Sequence, residues 1–171
     1  AAETWLGNYL QETSDPLLQS YAYFALGQVL SSQGRYTEAA DAFLEYLTRR
    51  PGVIDAYVFK LRADNLFAAG DYGGAAADYR AAAQSPGFLN AEQLQILTGR
   101  AHAAAGDYGT ALGIYQQVYE QTRNDFTRAQ MDLLMGQAYT SLGQIEQTYQ
   151  VYQDAVNNYP TAYDSYQALL V

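Results

Sequence analysis

One corner is written into this chain four times. Gly34-Arg35-Tyr36-Thr37-Glu38-Ala39, Gly70-Asp71-Tyr72-Gly73-Gly74-Ala75 and Gly106-Asp107-Tyr108-Gly109-Thr110-Ala111 follow one another at 36-residue intervals. A worn copy, Gly143-Gln144-Ile145-Glu146-Gln147-Thr148, comes 37 residues later. A fixed period of roughly 20 to 50 residues implies a stack of like units, because a unit that short cannot bury its apolar face alone and must lean on its neighbours. The expected architecture is therefore extended and modular, and its natural use is to present a long surface that holds something.

Each unit reads as two amphipathic helices. Tyr23, Leu26, Gly27 and Leu30 fall at i, i+3, i+4 and i+7, which puts one apolar stripe on a helix over 18–32. Gly34, free to take positive φ, ends it. A second helix over 36–49 carries Ala39, Ala40, Phe43 and Leu47 at helical spacing and stops before Pro51. The same plan predicts helices over 54–69 and 72–83 before Pro86, 90–105 and 108–122, then 127–142 and 145–159 before Pro160. Asn90 with Gln93, and Thr127 with Gln130, have capping-box spacing, with Leu89/Leu94 and Phe126/Met131 as hydrophobic staples. Trp5, Leu6, Tyr9 and Leu10 suggest a short helix before Pro16. Thr161, Asp164, Tyr166 and Leu169 suggest a last one, whose apolar end reads as a truncation.

The four units resemble the tetratricopeptide repeat. The pattern of an aromatic, Leu-Gly, an apolar residue, a small residue, an aromatic and Pro is met by Tyr23, Leu26-Gly27, Leu30, Ala39, Phe43 and Pro51. Later copies give Phe59, Ala63, Leu66, Ala75, Tyr79 and Pro86, then Gly99, Ala111 and Tyr115, then Met135-Gly136, Tyr139, Tyr152 and Pro160. Small residues at 27, 63, 99 and 136 let paired helices cross closely, and Phe43, Tyr79, Tyr115 and Tyr152 fill space between repeats. Arg62 and Thr98 depart from the usual Leu, Tyr46 stands where a small residue is usual, and Thr148 replaces Ala. The resemblance implies an all-α, right-handed solenoid of four helix-turn-helix repeats with extra N- and C-terminal helices. Its parts would be an N-terminal helix (1–16), repeats at 17–53, 54–89, 90–125 and 126–160, and a C-terminal helix (161–171), all in one domain.

In that family the first helices of successive repeats line a concave groove. Helical geometry then places Tyr21, Phe24, Gln28 and Ser32 on the groove side of the first repeat, and Tyr57, Lys60, Asp64 and Phe67 on that of the second. The third contributes Gln93, Ile96 and Arg100, and the fourth Gln130, Leu133, Gln137 and Ser141. Rings and amides mixed with isolated charges suit an extended peptide or a sugar chain. The competing expectation is that Tyr21, Phe24 and Phe67 pack on the N-terminal helix or on one another. The family's chaperone-tail clamp of Lys, Asn and Arg is absent: its places hold Phe24, Gln28, Leu61, Gln93 and Leu97.

Other chemistry finds little support. With 9 Lys+Arg against 18 Asp+Glu and a net charge of −9, there is no basic footprint for nucleic acid or an anionic membrane. Cysteine is absent, which removes disulfides, thiolate metal sites and thiol nucleophiles. No apolar run is long enough to span a bilayer, so membrane insertion is not expected. The single histidine, His102, reads as a buried helix residue, Lys60 and Asp64 as an ordinary i, i+4 pair, and Asp71 and Asp107 as helix caps. No cofactor, metal or catalytic motif stands out. The chain thus reads as a non-catalytic scaffold for a protein or peptide partner. A second reading makes it the helical scaffold of a larger cell-envelope enzyme touching peptidoglycan. It rests on Tyr159-Pro160-Thr161-Ala162-Tyr163-Asp164-Ser165-Tyr166, which resembles hairpin junctions of bacterial soluble lytic transglycosylases. That resemblance points to the bacterial cell envelope ahead of the cytoplasm.

Overall fold

The computed structural model describes residues 2–85 and 90–162, and these form helices and corners with no strand among them. The helices are α1 (Ala2–Glu12), α2 (Pro16–Ser32), α3 (Tyr36–Arg49), α4 (Asp55–Ala68), α5 (Tyr72–Gln84), α6 (Ala91–Ala104), α7 (Tyr108–Gln121), α8 (Asp125–Ser141) and α9 (Ile145–Asn158). The expected last helix, together with Leu89 and Pro86, lies outside the described residues. Contacts divide the chain into two compact units, Ala1–Leu94 and Gln95–Val171.

The repeated corner has a physical explanation that covers both of its halves. Gly34, Gly70, Gly106 and Gly143 all sit at positive φ, between 71° and 86°. That turn lets the next amide reach back five residues: Arg35 N–H to Leu30 C=O, Asp71 to Leu66, Asp107 to His102 and Gln144 to Tyr139, at 2.9–3.0 Å. These bonds satisfy carbonyls that the first helix leaves open. The residue after the glycine also opens the second helix. Asp71 accepts from Gly74 N–H at 2.9 Å and Asp107 from Thr110 N–H at 3.1 Å. A Gly-Asp pair therefore closes one helix and caps the next, which is why the dipeptide recurs.

Two helix starts differ from the sequence reading. Pro16 is the first residue of α2, and Asp15 caps it by accepting from Leu17 N–H at 2.8 Å. For α8 the cap is Asn124, which accepts from Phe126 N–H at 2.9 Å, so Thr127 lies inside the helix and is not its cap. Asn90 does cap α6, accepting from Gln93 N–H at 3.3 Å.

The small and large slots face each other inside each hairpin. A Cβ added at Gly27 would meet the Phe43 ring at 2.7 Å, one at Gly99 the Tyr115 ring at 2.5 Å, and one at Gly136 the Tyr152 ring at 2.0 Å. Each ring thus packs against its own repeat's glycine, and Phe43 and Tyr115 also reach residues of the next repeat. In the first unit Phe43 joins Leu30, Ala39, Ala42, Tyr46, Leu47 and Val58, the last from the following repeat. In the second, Tyr115 joins Ile96, Ala111, Val118, Met131 and Met135. Each such buried ring contributes about 1.5–3 kcal/mol of hydrophobic stabilisation. Burial also pushes the Tyr115 hydroxyl up to about 12. Tyr46, large where the repeat usually has a small residue, is buried in the first cluster, at 2% exposure.

Candidate functional site

In the first unit, α2 and α4 bring three of the expected residues together. Phe24 is the hub: its ring lies 6.0 Å from Phe43, 5.6 Å from Tyr46 and 6.4 Å from Tyr57. Phe24 is half in the core, while Tyr21 and Tyr57 stay open at 50% and 46% exposure. One turn of helix separates Tyr21 from Phe24, so the two rings share a face of α2. The result is an aromatic ledge floored by the core and rimmed by two exposed tyrosines.

Arg50, at the C-terminal end of α3, completes the ledge. Its guanidinium lies over the Tyr21 ring, 4.6 Å from the centroid. Tyr46 feels it too: burial raises the Tyr46 hydroxyl, Arg50 works against that, and Asp55 and Tyr21 add to it. Sequence reasoning missed Arg50 because the residue belongs to a second helix and reaches the face of a first one. The only available signal was its place beside Pro51, at the end of the hairpin.

Further along α4, Lys60 and Asp64 form the expected pair at 2.7 Å. The pair is less ordinary than its spacing suggests, since the buried Tyr79 hydroxyl of α5 also donates to Asp64, at 2.7 Å. Burial, and then that bond, raise the Tyr79 pKa. Phe67 sets its ring edge-on to Tyr72 at 5.1 Å. Gln28 is exposed on α2 and Gln93 on the first turn of α6. Arg100 on α6 and Gln137 on α8 are exposed residues of the second unit. Two companions expected beside them are instead core residues: Ile96 is 2% exposed and Leu133 8%.

A second concavity of the first unit, about 330 Å³, lies between α1 and the α2–α3 corner, lined by Glu3, Asn8, Gln11, Leu26 and Arg35. Its one cation is already engaged: Arg35 pairs with Glu3 of α1 and with Glu38 of α3. The Arg35 bond holds the Glu38 carboxyl below its ordinary range. These contacts, with buried Leu6, dock α1 on the first hairpin. They leave no open charge for a ligand.

His102 is not fully buried, as its helical position had suggested. It is partly exposed, and its Nδ1 lies 3.2 Å from Asp107 Oδ2 across the corner it precedes. Thr110 contacts first, and His102 after them, hold Asp107 below its ordinary pKa. Among the described residues no group of three or more His, Asp or Glu is placed to hold a metal ion, and no helix is long and apolar enough to cross a membrane.

Helical hairpins joined by glycine corners, with a glycine facing a ring inside the pair, define a helical-repeat protein. Tetratricopeptide-repeat profiles match residues 7–54, 60–126 and 131–162, and the chain belongs to the tetratricopeptide-repeat family. No curated protein matches its sequence. Among solved structures of similar fold is YrrB, described as a TPR protein with an unusual peptide-binding site. It is 19% identical with a TM-score of 0.70, over 99% of this chain and 82% of that one. MamA is 12% identical with a TM-score of 0.65, over 89% of this chain and 83% of that one. The apo form of RapI is 14% identical with a TM-score of 0.75, and this chain, matched over 98%, spans 51% of it.

Proposed function

We propose that this protein is a non-catalytic scaffold that binds a protein or peptide partner along the faces of its first helices. The residues proposed to contact it are Tyr21, Phe24, Gln28, Tyr57, Lys60, Asp64, Phe67 and Gln93 of the first unit, and Arg100 and Gln137 of the second. The observation that carries the reading is the ledge of Tyr21, Phe24 and Tyr57, in which two rings about half exposed stand over a packed floor. On a rigid helix face they offer contact area with little entropy left to lose. Fold likeness to YrrB, whose description names a peptide-binding site, points the same way. Helix-borne faces already set in place suit an extended chain laid across successive repeats.

A peptide array followed by calorimetric titration of its best binders tests this. Tyr57→Ala and Phe67→Ala should weaken the selected peptide by about tenfold, the effect of losing one anchoring aromatic. Unchanged affinity in both variants would remove the groove assignment. Soluble peptidoglycan fragments form the comparison arm: binding of these fragments alone, lost in the same variants, would favour the cell-envelope reading.

A further inference from the structure

The charges of the first unit single out one residue. In an acidic chain of net charge −9, cations are scarce, and most here are claimed by a carboxylate. Arg35 holds Glu3 and Glu38, Arg49 holds Glu45, Lys60 holds Asp64, and Arg62 holds Asp78. Arg50 differs from these four. Among the described residues it has no carboxylate within ion-pair distance, and its guanidinium lies over the Tyr21 ring. The carboxylate of Asp55 accepts from Gly52 N–H of its own corner at 2.8 Å through one oxygen, and its other oxygen is buried without a hydrogen-bond partner.

A guanidinium held over a ring face is kept in position without using its N–H donors, which stay available to a ligand. Those donors match the two oxygens of a carboxylate. They stand beside an aromatic surface, with Phe24 one helical turn from Tyr21 and Tyr57 against Phe24. An aspartate or glutamate side chain that docked here would find a counter-charge not already paired with a carboxylate. An adjacent aromatic or branched side chain would cover the ledge. A basic peptide would instead meet Arg50 first, and Asp64 is already spoken for by Lys60 and Tyr79.

Resting on the peptide-binding reading above, we infer that the α2–α4 ledge selects a peptide segment in which an acidic side chain adjoins a bulky apolar one, with Arg50 as the specificity-determining contact. The decisive probes have blocked ends, so that the only carboxylate is the side chain: acetyl-Ala-Phe-Glu-Phe-Ala-amide against acetyl-Ala-Phe-Gln-Phe-Ala-amide, titrated by calorimetry into the whole chain. The Glu peptide should bind about tenfold more tightly, a difference that shrinks in high salt. Arg50→Gln should abolish the preference, so that the two peptides bind it with equal affinity, whereas Tyr57→Ala should weaken both peptides and keep the Glu peptide ahead.

Equal affinities with no effect of Arg50→Gln would overturn the acidic preference. If Tyr57→Ala still weakened both peptides in that case, the peptide face itself would stand. Binding only of a peptide with a free C-terminal carboxylate, or of neither blocked probe at millimolar concentration, would also overturn the inference. Both Arg50 and Tyr57 lie at the surface end of their helices, and circular dichroism of the variants should match the parent.

Discussion

Asp78 and Asp132 are both buried acids in hairpins of one design, exposed to 6% and 3% respectively, yet only one of them meets a cation. In the α4–α5 hairpin, Arg62 sends one terminal nitrogen to both oxygens of Asp78, at 3.0 and 2.9 Å. In the second unit, Asp132 of α8 keeps one oxygen buried with no hydrogen-bond partner. Its slot, four residues before the small residue of the repeat, holds Tyr23, Phe59 and Gln95 in the other copies. Arg128, one turn earlier, does not help it: that side chain donates to Thr122 C=O at 3.0 Å and lies over the Tyr119 ring. The acid across the interface, Asp154 of α9, makes matters worse.

The two carboxyls show how burial and pairing compete. Burial raises Asp78 even though Arg62 pulls it down, so pairing only partly offsets desolvation. For Asp132 nothing opposes burial, and Asp154 adds to it, lifting the pKa from 3.8 to about 7. The repeat tolerates an acid in its interior in either of two ways: with a partner from the other helix of its hairpin, or by keeping the group protonated.

The largest test of that contrast is Asp78→Ala, which strands Arg62 in the interior. It should lower the unfolding free energy by roughly 3–5 kcal/mol in urea denaturation. A loss below about 1 kcal/mol would make the pair equivalent to an exposed one and dissolve the distinction.

Asp132→Asn should act in the opposite direction. The folded state keeps the Asp132 proton up to about pH 7, while the unfolded state releases it near 3.8. The stability this group supplies is therefore intact below about pH 4 and is lost as pH rises through 7. The neutral variant should match the parent at pH 4 and exceed it at pH 8, by an amount on the order of 2–4 kcal/mol. A gap between variant and parent that stays constant from pH 4 to 8, followed by thermal melts, would show that Asp132 is ionised in the fold and solvated after all.

Gly136→Leu sharpens the comparison from the packing side, because Asp132 and Gly136 sit one turn apart on the same helix. With the Tyr152 ring 2.0 Å from any added Cβ, the variant should lose about 1–3 kcal/mol by overpacking, alike at pH 4 and pH 8. Loss that varied with pH would mean that the glycine acts through Asp132 and not through the ring.

The corners were legible in the sequence because they are local. A glycine at positive φ is fixed by a few neighbouring residues, and so is the capping acid that follows it at Asp71 and Asp107; the Gly34, Gly70, Gly106 and Gly143 copies needed no tertiary knowledge. The small slot at Gly27 and the large slot at Phe43 were each legible from the period, but that the ring packs on its own repeat's glycine was not, because the two lie on different helices. Arg62 was visible as a departure from the pattern, but its partner was not: Asp78 lies 16 residues away on another helix, and only the fold makes them neighbours. Arg50 was hidden in the same way by the crossing from α3 to Tyr21. Ile96 and Leu133 were misplaced onto a surface because the apolar stripe of their helices is wider than a single 100° step suggests. Thr127 was mistaken for a cap because Asn124 offers the same chemistry three residues earlier.

The central claim is that a partner lies on the faces of α2 and α4. Amide chemical-shift mapping with the tightest array-selected peptide tests it most directly. The largest shifts should fall on Tyr21, Gln28, Tyr57 and Asp64 and their immediate neighbours. Shifts confined to α3 and α5, with α2 and α4 undisturbed at saturation, would contradict it.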